Sequence, residues 1–148
     1  MNLIIFIILL AACATAAAPG MLFKPGSWYQ GLNKPNWTPP NWAFPVAWSI
    51  LYLMIAYAGS RVAMIPGAGL AMAFWALQIA LNTLWTPVFF GKQNPRAGLI
   101  VIVGLFLAIA GTIAFMLPLD RWAGLIMLPY LVWVGYATAL NLAIWRTN

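Results

Sequence analysis

The sequence predicts an all-α integral membrane protein, a bundle of five transmembrane helices. Of the 148 residues, 65% are hydrophobic and 5% are charged, whereas a soluble domain carries roughly 25% charged residues. A globule this poor in charge would expose large apolar patches to water. Apolar runs of roughly 20 residues, long enough to cross a bilayer core as helices, recur without the alternation typical of barrel strands. Because backbone groups in lipid must be hydrogen-bonded internally, these runs predict helices.

Five spans are predicted, and so little chain lies between them that residues 1–148 form one membrane domain. The breaks fall at proline and glycine, for example at Pro66-Gly67 and between Gly91 and Pro95. Only one connection is long. The predicted spans cover residues 2–22, 43–64, 67–90, 97–117 and 122–145, and the long loop covers residues 23–41.

The first span contains the stretch Leu10 to Cys13, which resembles the end of a lipoprotein signal. No lysine or arginine precedes the apolar run, although a signal peptide normally begins with one. We therefore expect the segment to be retained as a helix. Cys13 is the only cysteine, so it forms no internal disulfide, and we expect it to be a small core residue.

The second span follows Trp37-Thr38-Pro39-Pro40, a stiff stretch because proline fixes φ and removes backbone donors. We expect Asn41 to cap the helix and Pro45 to lie in or near its first turn, where a missing N–H costs little. With its flanking aromatic residues, the stretch is interpreted as a lid over a pocket between helices. The alternative is that it only anchors the helix at the membrane interface.

Aromatic and polar side chains share one face in each of three spans. Amides in membrane helices often only bond neighbouring helices, and the residues Trp28, Trp37, Trp75, Trp122 and Trp145 are assigned to interfacial belts or packing. The competing interpretation is a pocket of flat rings and a few amides, which suits a flat, mostly apolar ligand. The three stripes are Trp48 and Tyr52; Gln78, Asn82, Trp85 and Phe89; and Trp133, Ala137 and Asn141.

Small residues predict where two copies would meet, because they let membrane helices approach closely. The third span has such a stripe, offset from its polar face, and we prefer it as the interface of a homodimer. A rival stripe, Gly104, Ala108, Gly111 and Thr112, lies on the fourth span. The predicted dimer interface is Gly69, Ala73, Ala76 and Ala80.

Basic residues predict the orientation of the bundle. The face with the long loop and the C-terminus carries five of them, whereas the other face carries Arg61 and Arg121. The positive-inside rule therefore places the long loop and the C-terminus in the cytoplasm. The net charge of +6 suits anionic lipid headgroups and requires no nucleic acid. The five residues are Lys24, Lys34, Lys92, Arg96 and Arg146.

The sequence excludes the commonest kinds of catalytic site. It has no histidine and a single acid, Asp120, so a carboxylate pair, a triad and a histidine metal site are all excluded. Asp120 is expected to be a solvated helix cap or part of an ion pair. We expect no catalytic residue, no metal site and no obligatory cofactor, and any chemistry would come mainly from a bound ligand.

Several motifs together resemble the TspO family of tryptophan-rich sensory proteins, which includes the animal translocator proteins, also called peripheral-type benzodiazepine receptors. The match covers the long loop and the second, third and fifth spans. The motifs are Trp-Thr-Pro-Pro at 37–40, Phe44 with Trp48, Leu-Tyr at 51–52, Asn-Thr-Leu-Trp at 82–85, Phe-Phe-Gly at 89–91, Pro-Tyr-Leu-Val-Trp at 129–133 and Ala-Thr-Ala-Leu-Asn at 137–141.

The resemblance implies five membrane helices, usually dimeric, in a bacterial membrane. It implies binding of tetrapyrroles, among them protoporphyrin IX and haem-type porphyrins, and of benzodiazepine-site ligands. It also implies a part in regulating tetrapyrrole and photosynthetic pigment synthesis, and in some members light-dependent porphyrin breakdown. It implies a pocket on three helices with the Trp37 loop as its lid. Together with the stripes and motifs above, the predicted ligand-binding residues are Trp37, Phe44, Trp48, Tyr52, Asn82, Trp85, Phe89, Trp133, Ala137 and Asn141.

One departure from the family bears on sterols, which its animal members bind. The cholesterol pattern of the last helix requires a basic residue within five positions of a tyrosine, and here Tyr136 is followed by one only at Arg146. Porphyrin is therefore the preferred ligand over sterol. A photo-oxidative porphyrin-degrading protein and a purely structural membrane protein remain the alternatives to a tetrapyrrole receptor or transporter.

Overall fold

The computed structural model describes residues 1–148, and all of its regular elements are helices. Five helices are long and apolar enough to cross a membrane. The predicted fold class, an all-α membrane bundle of five spans, is thus confirmed, and no end differs from its predicted position by more than two residues. The first to fifth spans are Leu3–Leu22, Ala43–Val62, Gly69–Gly91, Pro95–Met116 and Arg121–Thr147. The long loop also contains one helical turn, Ser27–Gln30.

Proline makes two of the spans irregular. The third span is α-helical over Gly69–Thr86 and continues as a π-helical turn over Pro87–Gly91. In this turn the Lys92 N–H donates to the carbonyl of Pro87, five residues back, at 2.9 Å. The fifth span is divided at Met127 into Arg121–Ile126 and Leu128–Thr147, beside Pro129, which has no N–H to continue the ladder.

Polar side chains cap three of the spans, whereas the second and third spans have no side-chain cap. Asn2, Asn94 and Asp120 each accept a hydrogen bond from the backbone at the start of the helix that follows. The prediction that Asn41 caps the second span is wrong. Trp42 occupies the capping position with helical φ and ψ, and its side chain makes no cap. The Ala43 N–H is instead satisfied by the carbonyl of Pro40 at 3.0 Å.

The main hydrophobic core draws buried residues from all five spans. Cys13 is buried there, as predicted, with 1% of its surface exposed. The indole of Trp75 is also buried, and its Nε1–H donates to the carbonyl of Ile55 at 3.0 Å. Gly59 makes room for that indole, since a Cβ at this position would lie 2.8 Å from Nε1 of Trp75. Trp75 is therefore a packing residue that joins the second and third spans.

The two faces of the bundle are held by different polar contacts. On one face, the carboxylate of Asp120 receives a hydrogen bond from Nε of Arg61 at 2.8 Å. This bond holds the pKa of Asp120 below its ordinary value. Asp120 is thus both a helix cap and half of an ion pair, but its partner is Arg61 and not the neighbouring, exposed Arg121. On the other face, the N–H of Asn33 in the long loop donates to Oδ1 of Asn148 at 3.1 Å.

Candidate ligand-binding site

A buried hydrogen-bond chain joins the second, third and fifth spans. The hydroxyl of Tyr52 donates to Oδ1 of Asn82 at 2.9 Å, and Nδ2 of Asn82 donates to the hydroxyl of Tyr130 at 2.8 Å. Tyr130 in turn donates to Oε1 of Gln78 at 2.7 Å. Asn82, Tyr130 and Gln78 are all buried. Since unpaired polar groups are costly in an apolar interior, this chain fixes how the three spans are rotated against one another.

Aromatic rings cover one side of this chain. Trp48 stacks on Tyr52 with ring centroids 5.5 Å apart, and its edge meets Tyr130 at 6.1 Å. Trp133 of the fifth span meets Trp48 edge to face at 6.5 Å, and Phe44 meets Trp133 at 5.9 Å. The predicted stripes of the second and fifth spans therefore do face each other, in one continuous aromatic cluster.

The long loop closes over the outer end of this cluster. The ring of Trp37 lies 5.4 Å from the ring of Tyr136, and the hydroxyl of Tyr136 donates to the backbone carbonyl of Trp37. Tyr136 also stacks on Trp133 with centroids 6.1 Å apart. The Trp37 stretch is thus fastened to the fifth span by a single tyrosine, next to the aromatic cluster.

An open groove of about 790 Å³ runs between this stretch and the fifth span. Pro39 forms one edge, while Trp133 and Tyr136 form part of the opposite wall with four further residues of the fifth span. Nε1 of Trp133 is buried and makes no hydrogen bond within the protein. The groove is within the size range of small-molecule sites, roughly 300–1,000 Å³, and is largely apolar, as such sites usually are. The four further residues are Leu125, Leu128, Pro129 and Val132.

A second group of predicted residues lies near the end of the third span and the start of the fourth. Trp85 stacks on Phe89 at 4.9 Å, and its Nε1–H donates to Oδ1 of Asn141 at 3.0 Å. Nδ2 of Asn141 donates to the carbonyl of Pro95 at 2.8 Å. A Cβ on Gly98 would lie 2.9 Å from the Phe89 ring. These polar groups satisfy one another and hold the third, fourth and fifth spans together.

The predicted site residues therefore lie in two separate groups, with Ala137 outside both. The aromatic cluster and the loop above it bring together Trp37, Phe44, Trp48, Tyr52, Asn82 and Trp133. Ala137 is half-buried against the core, while Trp85, Phe89 and Asn141 form the second group. Only Trp133 of the ten lines the groove.

Sequence reasoning missed Tyr130 and Tyr136 as site residues. Tyr130 lies three residues before Trp133 and seven before Ala137, a spacing that would place it on the same helix face. Tyr136 follows Trp133 by three, so the same rule would have found it. No periodic signal in the loop indicates that the carbonyl of Trp37 would be its partner.

Comparison with known proteins gives one family. The model of the TspO/MBR family matches residues 4–146. The chain is 47% identical over 148 residues to the tryptophan-rich sensory protein of Cereibacter sphaeroides, covering 100% of this chain and 94% of that protein. It is 46% identical over 152 residues to protein CrtK of Rhodobacter capsulatus, covering 100% of this chain and 95% of that protein.

An animal relative is more distant. The human translocator protein is 32% identical over 126 residues, covering 82% of this chain and 75% of that protein. The match of the family model spans all five membrane helices. This chain is a multi-pass membrane protein that belongs to the TspO/MBR family.

Proposed function

We propose that this protein is a membrane receptor or transporter-like protein that binds tetrapyrroles, with protoporphyrin IX as the first ligand, and that it contributes to regulating tetrapyrrole and pigment synthesis. Benzodiazepine-site ligands would share the pocket, and the face with five basic residues would lie in the cytoplasm. The observation that carries the proposal is the apolar groove, whose wall contains an indole with an unpartnered buried N–H, Trp133. A flat apolar ring matches the groove, and one of its carboxylates would accept from the indole N–H once deeper entry of the ligand uncovers that buried atom.

The groove opens along the fifth span, on a side of the bundle where Val132 is 71% exposed. In a membrane that surface faces lipid, so an apolar ligand would enter from the bilayer. Deeper entry, toward Trp48, requires the Trp37 stretch to move away from Tyr136. One edge-to-face ring contact and one hydrogen bond oppose that movement, so the opening costs little compared with unfolding a span.

The test is a titration of the purified protein with protoporphyrin IX and with haem, followed by quenching of tryptophan fluorescence. We expect saturable quenching by both, with affinities within about tenfold. Haem iron is usually held by histidine, cysteine, methionine or tyrosine; the groove contains none of the first three, and the hydroxyl of its one tyrosine, Tyr136, already bonds the carbonyl of Trp37. A haem affinity a hundredfold tighter than that for protoporphyrin IX, with a six-coordinate spectrum, would show instead that the protein coordinates the iron.

A purely structural role is the second candidate, because the chain from Tyr52 to Gln78 is the kind of bonding that holds membrane helices together. In that case neither ligand would quench in a saturable way. Illumination of the porphyrin complex, with and without oxygen, separates a binder from a degrading protein. A binder leaves the absorption spectrum of the porphyrin unchanged.

We also propose that two copies associate through Gly69, Ala73, Ala76 and Ala80 of the third span. All four are exposed on the single chain. The rival stripe of the fourth span packs inside the bundle instead: Ala108 and Thr112 are 2% and 0% exposed. A Cβ on Gly111 would lie 2.7 Å from the ring of Phe74. These observations support the third span.

Replacing Ala76 with leucine is expected to shift the protein from dimer to monomer, because the added side chain separates the two backbones. Mass measured in detergent and in nanodiscs checks this. Ala114→Leu is the matched control, since Ala114 is also an exposed alanine and lies on the fourth span. A dimer that survives Ala76→Leu but not Ala114→Leu would show that the interface lies on the fourth span and not on the third.

A further inference from the structure

A second cavity, partly open and about 310 Å³ in volume, lies at the basic face of the bundle. It is enclosed by the long loop, the start of the fourth span and the end of the fifth. At ~30 Å³ per water molecule, it has room for a phosphate and part of a headgroup. It shares no residue with the groove beside Trp133. The residues that matter here are Trp28, Gln93, Asn94, Arg96, Trp145 and Asn148.

The only charged side chain in the wall of this cavity is basic and forms no ion pair. That side chain is Arg96, which is exposed. Asp120, the only acid of the chain, lies on the opposite face and is bound to Arg61. The arginine therefore has no anionic partner within the protein. A guanidinium with free N–H groups binds phosphate in a bidentate manner.

Other donors around Arg96 are also free. Oδ1 of Asn94 accepts from the N–H of Ala97 at 3.0 Å, while its Nδ2 makes no hydrogen bond within the protein, and neither does the amide of Gln93. The amide of Asn148, by contrast, is bonded to Asn33 and Ile144 and forms a fixed wall. The fourth span, 22 residues long, begins at this cavity, so the positive end of its dipole adds to the field.

Two indoles set the depth of the cavity in the membrane. Trp28 is half-buried and Trp145 is 42% exposed, and both lie in its wall. Tryptophan is enriched at the level of lipid headgroups. We propose that this cavity binds an anionic phosphate group at the membrane surface, supplied by the headgroup of an anionic lipid or by free phosphate.

Replacing Arg96 with glutamine tests the proposal on the full-length protein. Binding of phosphatidylglycerol is measured by native mass spectrometry and by the gain in thermal midpoint in nanodiscs of phosphatidylcholine with and without phosphatidylglycerol. We expect Arg96→Gln to weaken this binding about tenfold, because it removes the bidentate contact as well as one charge. Arg96→Lys keeps the charge but loses the planar guanidinium with its paired N–H donors, so it should show an intermediate loss of binding.

Arg146→Gln is the matched control, because it removes the same charge from a residue that lies on the same face but outside the cavity. It should weaken binding by no more than about fivefold, the share of one basic residue near a membrane surface. Equal losses from Arg96→Gln and Arg146→Gln, or no loss from either, would overturn the proposal.

Inorganic phosphate added in detergent identifies the source of the group. Stabilisation by phosphate that depends on Arg96 shows that the site accepts the free anion. Stabilisation by phosphatidylglycerol alone, again dependent on Arg96, shows that it requires the lipid headgroup. The side chain of Arg96 makes no hydrogen bond and no ion pair within the protein, so both Arg96 variants are expected to stay monodisperse.

Discussion

Replacing Trp75 with alanine is expected to lower the free energy of unfolding by about 3 kcal/mol, the lower end of the range for losing a buried tryptophan. The indole is 4% exposed and bonds the carbonyl of Ile55 at 3.0 Å. Lipid chains are as apolar as the protein core, so the transfer of the side chain out of water contributes little to the stability of helix packing in a membrane. What remains is the cavity left by the ring and the lost hydrogen bond. Unfolding in dodecyl sulfate, followed by circular dichroism, measures the change.

A double-mutant cycle with Gly59 identifies the cause of that loss. A Cβ on Gly59 would lie 2.7 Å from Cδ1 of Leu9 and 2.8 Å from Nε1 of Trp75, so Gly59→Ala alone should destabilise by ~1–3 kcal/mol through overpacking. With the indole absent, the same methyl group has space, and its cost should fall. Purely additive effects would show that the two residues do not share a packing site. Trp122→Ala, where the ring is 64% exposed, should change little.

The number and place of the spans could be predicted because hydropathy and span length are nearly sufficient for helices in lipid. The details of the ends could not, because they depend on local competition for backbone donors. Asn41 has the chemistry of a cap, yet the turn that ends at Ala43 already satisfies the donor. Asp120 could be identified as a cap or an ion pair. Its partner, Arg61, lies 59 residues away, and only the packing of the second span against the fifth brings them together.

The candidate site shows the same division. Helical spacing placed Trp48, Asn82 and Trp133 on their faces, and those faces meet. Periodicity within one helix does not determine how far it is rotated against its neighbours. For that reason Trp85 and Asn141, on equally convincing stripes, bond each other away from the groove. Their part in ligand binding stays a prediction.

Replacing Trp133 with alanine is expected to weaken protoporphyrin binding at least tenfold. Its ring forms part of the groove wall, and its Nε1–H is the one buried indole donor without a partner. Burying an aromatic side chain against a ligand contributes roughly 1.5–3 kcal/mol, and 1.4 kcal/mol is about tenfold in affinity. Trp48→Ala should weaken binding less, because Trp48 lies behind Trp133 at 6.5 Å. Quenching of the remaining tryptophans measures each affinity.

Trp122→Ala serves as the control here too, because it removes the same kind of side chain from a position that is exposed and outside the groove. Trp133→Phe separates the two contributions: it keeps a flat ring but removes the N–H. If the indole donates to a carboxylate of the ligand, Trp133→Phe should recover only part of the affinity, and methyl-esterified porphyrin should bind both proteins almost equally. Equal weakening by Trp122→Ala and Trp133→Ala would mean that the titration reports partition into detergent, and that the groove beside the Trp37 stretch is not the site.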